Sequence, residues 1–249
     1  MAKQKGILKI EGTLDDITFY KNGDAYLVRN KGGVSKNRIE NDPAFKRTRE
    51  NGTEFGMVAG ASKLLRDANA VLVRKAYDGK LNVKLMQVLT KVKGCDVTSP
   101  RGQREVYVGL GTAEGRALLK GFDFNSRTKL HSVLAAPFVL DTSTGTVTID
   151  NLIPAEMLDA PANSTHVAMQ SAMLNLNFET GEQAIEYSPV VNLPLDLALA
   201  TQTLTPNGVP GGSGQLFFFL LIEFFQEVNG VQYALNNGNF NALCLLEVV

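Results

Sequence analysis

Between Leu216 and Phe225 the chain places nine apolar side chains in ten positions, interrupted only by Glu223. The run is too short to cross a bilayer as a helix, which takes roughly 20 apolar residues, and reads instead as a buried strand. Successive side chains of a strand point to opposite faces, so a strand apolar on both faces must be covered twice. That fits a sandwich sheet whose outer face meets helices of the same chain or another subunit. The same alternation limits Phe217, Phe218, Phe219, Phe224 and Phe225 as a base- or sugar-stacking platform, because at most half of them share a surface. A core role is the better reading.

Similar texture extends over the second half. Lys129–Asp141 reads as a long strand that Ser143-Thr144-Gly145 turns into Thr146–Ile149. Strand-like runs follow at His166–Phe178, Ala184–Tyr187, Leu197–Leu204, Leu216–Val228, Val231–Leu235 and Leu243–Val249, punctuated by Asn229-Gly230 and Asn236-Asn237-Gly238. Short strands at regular intervals with Gly and Asn turns are the pattern of a β-sandwich. Thr205–Gly214 is a Pro/Gly-rich loop. The last strand runs to the chain end, so Leu243–Val249 is expected to be paired, within the sandwich or with a partner.

The first half differs. Residues 6–12, GILKIEG, alternate imperfectly, and a hairpin is expected with Asn22-Gly23 between Ile17–Tyr20 and Tyr26–Val28. Lys31–Arg38 reads as a Gly-rich basic link. Asp42-Pro43 carries the cap and first-turn residues of a helix start, and Val58, Ala61, Leu65, Ala68 and Leu72 continue at helical spacing. Gly52, Gly56 and Gly60 suggest close approach of a neighbour. A second helix is expected over Lys80–Lys93, stopped by Gly94, and a third near Ala113–Lys120. The chain is therefore read as α+β: a basic module of hairpin and helices over 1–124, and an acidic antiparallel β-sandwich over 125–249.

Charge follows the same division. All 25 Lys and Arg lie in residues 1–129, with 14 Asp and Glu, for a net +11; residues 130–249 hold 11 acidic and no basic residues, for a net −11. The two halves can attract within one molecule. Alternatively, the basic part of one subunit meets the acidic part of the next; such complementarity speeds and orients association in a head-to-tail contact that closes a ring or runs on as a filament. A basic half also supplies salt-sensitive phosphate contacts, but no nucleic-acid-binding motif accompanies it.

Catalytic chemistry is not legible. Cys95 and Cys244 lack partner spacing. His131 and His166 stand apart, with no ligand pattern for zinc. Gly109, Gly111 and Gly115 miss the dinucleotide spacing and lack its βαβ context. No G-x-S-x-G elbow, Walker sequence or calcium loop occurs. Asn51-Gly-Thr and Asn163-Ser-Thr match the glycosylation acceptor pattern by chance. No catalytic residue, metal or cofactor is expected. Met1–Gly12 has no apolar core of a secretory signal, so synthesis in the cytoplasm is expected, with release as an assembly left open.

The segments KGILKIEGT (5–13), TFYK (18–21), YLVRNKGGVS (26–35), NDPAFKRTRENGTEFG (41–56) and PRGQR (100–104) resemble a family of uncharacterised Bacteroidota proteins in which a short β-rich start leads into a basic helical region and a variable β-rich tail. The resemblance covers about residues 1–125 and implies no activity, cofactor or catalytic residue.

The leading functional expectation is a self-assembling structural subunit, with itself as partner. Ile7, Leu8, Ile10, Leu243, Leu245 and Val248 are the expected strand-exchange interface, and Lys36, Arg38, Lys46, Arg47 and Arg49 the basic contact face. The alternative is a monomeric binding module holding a glycan or protein ligand in loops such as Thr205–Gly214. Nucleic-acid binding through the basic residues, including Lys3 and Lys5, comes last.

Overall fold

The computed structural model describes residues 2–76 and 78–249. The chain forms two compact units, Met1–Asn51 and Gly52–Val249.

The first unit is a four-stranded antiparallel sheet followed by short helical turns. Its strands are β1 (Ala2–Lys3), β2 (Gly12–Leu14), β3 (Ile17–Asn22) and β4 (Ala25–Asn30), in the order β1-β4-β3-β2. The hairpin turn lies one residue later than expected. Asn22 stays paired with Ala25, so the loop is Gly23-Asp24, and Gly23 supplies the positive φ of +59° that a tight hairpin requires. Segment 31–38 is only partly a link, because Ser35 caps α1 (Lys36–Asn41) by accepting from the Arg38 amide. Asp42 accepts from the Ala44 amide at 2.9 Å, as its capping role implies, and Pro43–Phe45 form a 3₁₀ turn before α2 (Lys46–Ala68).

The second unit is built on both faces of one sheet. Its remaining helices are α3 (Ala70–Lys75), α4 (Leu81–Gly94), α5 (Val106–Leu110), α6 (Ala113–Leu119), α7 (Leu130–Val133) and α8 (Pro154–Met157). The strands are β5 (Phe122–Asp123), β6 (Phe138–Asp141), β7 (Thr146–Leu152), β8 (His166–Leu176), β9 (Gln183–Tyr187), β10 (Val191–Pro194), β11 (Ala200–Leu204), β12 (Gln215–Val228), β13 (Val231–Ala234) and β14 (Ala242–Val248). The large sheet runs β10-β8-β12-β14-β5, with β9 also on β8 and β13 also on β12; a smaller sheet runs β11-β7-β6. Every pairing is antiparallel. The β12–β13 turn is Asn229-Gly230, with φ of +52° and +76°, as the dipeptide implies.

β12 has the doubly covered surroundings its sequence demands. Phe217, Phe219 and Leu221 join Leu174, Leu176, Leu243 and Leu245 under a helical layer of Val58, Leu65, Leu72, Leu85, Leu89 and Val92. Phe218, Leu220, Ile222 and Phe224 join Val167, Met169, Met173 and Leu246 against Val147, Ile149, Leu152 and Leu204 of the small sheet. The unit is therefore three-layered: helices, large sheet, small sheet. Glu223, the one charge in the run, falls on the helical face, where Lys75 of α3 meets it at 2.8 Å. A register shift in β14 opposite Phe218 and Phe219 turns Val248 back to the face of Leu243 and Leu245.

Two expectations need correction. Lys129–Asp141 is not one strand. Leu130, Val133 and Leu134 bury at helical spacing, Asp123 caps the α7 amide of Leu130 at 3.0 Å, and strand geometry begins only after Pro137. The boundary expected at 124/125 falls inside the second unit, because helices before it and strands after it share one core.

The glycines also divide differently. A Cβ at Gly109 would lie 2.1 Å from the Val92 carbonyl oxygen, and one at Gly115 2.0 Å from that of Gly109. These residues let α4, α5 and α6 cross closely, which explains a glycine pattern that only mimics a phosphate loop. By contrast, Gly52, Gly56 and Gly60 of α2 are exposed and face open space, so no close neighbour explains them.

Phe218→Ala and Phe219→Ala are each expected to lose about 3–5 kcal/mol, since either leaves a cavity beside the same strand; urea unfolding followed by circular dichroism checks both. Gly56→Ala is expected to gain roughly 0.5–1 kcal/mol from helix propensity, whereas Gly109→Ala loses about 1–3 kcal/mol or more by overpacking; their thermal midpoints should move in opposite directions.

Candidate functional site

The N-terminal unit has an inverted arrangement of polar and apolar groups. Residues 4–11 connect β1 to β2 as a loop, not as the expected strand. Gln4 closes its base: the side chain accepts from the Ile10 amide and donates to the Ile10 carbonyl, both at 3.0 Å. Lys9 folds across the loop and donates to the Gln4 and Gly6 carbonyls, each at 2.7 Å. With the lysine turned inward, the tip offers Ile7 at 103% and Leu8 at 85% relative exposure, and Ile10 at 55%. Leu14, Ile17 and Val34 are exposed as well, and Leu27 is the single buried hydrophobic among the described residues of this unit.

The basic face expected here is largely engaged locally. Lys36 pairs with Glu40, Arg38 with Asp42 and Arg47 with Glu50. Arg38 also lies over the Phe45 ring, and Arg49 donates to the Ile39 and Asp42 carbonyls at 2.7 and 3.0 Å. Lys46 is exposed. These residues cap and brace α1 and the turn after it.

The C-terminal half of the expected strand-exchange set is internal. Leu243, Leu245 and Val248 are buried in β14, which pairs with β12 along its length and with β5 at Cys244 and Leu245. They hold the chain's own sheet to its helices and have no surface left for a neighbour. The Thr205–Gly214 loop is anchored at its end, where the Gly214 amide donates to Asn175 at 2.9 Å and Gly214 passes too close to the Leu176 backbone to admit a Cβ, while residues 207–209 are exposed.

The large sheet ends at the two-residue strand β5, and a cavity of about 330 Å³ opens beside it. Leu130 and Leu134 form one wall, Cys244 and Leu246 another, and Phe138 of β6 a third; Lys120, Asp123 and His131 stand with them around the space. β6 is the last strand of the small sheet, and its outer side pairs with no other described strand. Phe138 and Val139 remain 37% and 65% exposed. The site thus lies at the open side of the two-sheet stack, walled by apolar groups with polar ones around them.

The polar groups are structural in their present pairing. Lys120 binds Glu247 at 2.5 Å. Asp123 accepts from the Leu130 amide, while burial raises its carboxyl above the usual range against the lowering effect of that hydrogen bond. Burial, with the Asp123 charge beside it, raises the Cys244 thiol and makes it a poor nucleophile. His131 lies in α7 at the cavity, exposed. His166 bonds Thr165 and faces Glu227 at 3.6 Å. Asp96 anchors the loop before α5. Burial opposes its ionisation, but bonds from Ser99, the Glu105 amide and Thr98 outweigh that and hold it well below the carboxylate range.

Sequence reasoning missed this cavity because its lining comes from α7, β5, β6 and β14, which are short or distant in the chain. One signal was available: Pro137 stands within a segment read as one strand and marks a late strand start.

Among the described residues, no group of three or more His, Cys, Asp or Glu side chains is arranged to hold a metal ion, and no helix is long and apolar enough to cross a membrane. Comparison with family models, curated proteins and solved structures finds no match to the chain.

An acid with a raised folded-state pKa favours the folded chain below its ordinary range, and that advantage is lost as pH rises through the raised value. Asp123→Asn keeps an oxygen for the Leu130 amide. Its stability relative to the parent is therefore expected to improve as pH rises from the ordinary carboxylate value of about 4 towards neutrality. Urea titrations across that range check this, and a pH-independent difference would contradict it.

Proposed function

We propose that the chain is a non-enzymatic structural subunit that assembles with copies of itself through its N-terminal unit. The observation that carries this reading is the loop tip at Ile7 and Leu8, apolar and fully outward, on a unit with one buried hydrophobic residue. A small sheet without a core is marginal on its own, and contiguous exposed aliphatic groups mark interaction surfaces. Covering that surface with another copy supplies the burial the unit lacks.

Charge favours the same partner. Residues 1–51 hold eleven basic and seven acidic residues, for a net +4; residues 52–249 hold fourteen basic and eighteen acidic, for a net −4. Opposite net charges on the two units steer one copy toward another. The larger +11/−11 contrast is met in part inside the molecule, where Lys75–Glu223 and Lys120–Glu247 join the two segments. The steering is therefore expected to be modest, and the apolar contact dominant.

Light scattering and negative-stain microscopy of the purified protein test the proposal. The parent is expected to form particles or polymers well above 27.0 kDa. Ile7→Asp/Leu8→Asp is expected to remain monomeric with an unchanged circular dichroism spectrum, because both side chains are outside any core. A parent that stays monomeric over the accessible concentrations sinks the assembly reading.

A further inference from the structure

Resting on that reading, we infer that the cavity beside β5 and β6 is the receptor for the loop tip, so that Ile7 and Leu8 of one copy seat among Leu130, Leu134, Phe138 and Leu246 of the next. The two features match in kind. The knob is a pair of almost fully exposed branched aliphatic side chains on a loop closed by the Gln4 and Lys9 hydrogen bonds. The hole is an apolar space of about 330 Å³, at the lower end of volumes that hold ligands and large enough for two such side chains.

Charge at the rim of the hole is mixed: Lys120 is bound to Glu247, and Lys129 and His131 act on Asp123. The apolar fit therefore carries the contact. The unpaired outer side of β6 leaves main-chain groups of residues 138–141 available to the loop backbone, as in strand addition. Knob and hole are different patches of the chain, so the contact is heterologous and either closes a ring or runs on from copy to copy.

A complementation experiment with full-length protein tests the match. Ile7→Asp/Leu8→Asp destroys the knob and keeps the hole. Phe138→Asp places a charge in the hole, on a residue already 37% exposed, and keeps the knob. Each variant alone is expected to lose assembly at concentrations where the parent assembles. Mixed in equal amounts, they should form a one-to-one dimer and nothing larger, since only one intact knob and one intact hole can meet. A photo-cross-linking residue at position 8 gives a second measurement that leaves the hole unaltered; its products should join position 8 of one copy to segments 130–138 or 244–246 of another.

If the parent assembles and Phe138→Asp assembles equally well, the receptor lies elsewhere and this inference fails while the subunit reading stands. Cross-links mapping to other segments, or formed only within one chain, overturn it in the same way. If the parent does not assemble at all, both fall together.

Discussion

The rest of the second unit depends on the burial of β12 from both sides. Each side chain from Phe217 to Phe224 has a defined layer to enter, helical or sheet, and the alternation of the strand sorts them without exception. Even the charged member obeys it, since Glu223 points to the helical layer and finds Lys75 there. A buried carboxylate without such a partner would be costly, and Lys75 of α3 supplies it while Leu72 and Val73 bury the helix. The close crossing of α4, α5 and α6 at Gly109 and Gly115 then lets a thin helical layer lie flat on the sheet.

The first unit obeys no comparable constraint. Its sheet is held by hairpin hydrogen bonds and cation–ring contacts such as Arg29 over Tyr20, and α1 carries local ion pairs. Such surface contacts contribute little individually. Conserving the hydrogen-bonding capacity of Lys9 for the loop interior, while turning Ile7 and Leu8 outward, is the opposite of what solubility alone would favour. That opposition makes the unit the best place to look for function in a chain without a legible catalytic site.

The sequence made the double burial of β12 readable because period-2 alternation and a continuous apolar run leave few alternatives. The α2 and α4 stripes, the Asp42-Pro43 start and the Asn229-Gly230 turn were readable for similar local reasons. The division into bodies was not. Composition changes near residue 125, but packing unites residues on both sides of it, because helices from the basic half cover strands from the acidic half. Of the expected interface residues, Ile7, Leu8 and Ile10 are exposed, though on a loop whose geometry depends on Gln4 and Lys9, not on strand propensity. Leu243, Leu245 and Val248 lie on a strand paired with β12, and the helical layer covers their face. The cavity was illegible because no single segment of the chain builds it.

The central claim is that the loop at residues 4–11 is covered by another copy of the chain. Hydrogen–deuterium exchange of its amides, read by mass spectrometry across protein concentration, addresses it directly. The account predicts that exchange in this segment slows as concentration rises, together with that of residues 138–141, while the β12 amides stay protected throughout. Equally fast exchange of residues 4–11 at every concentration, in samples that nonetheless assemble, would contradict it.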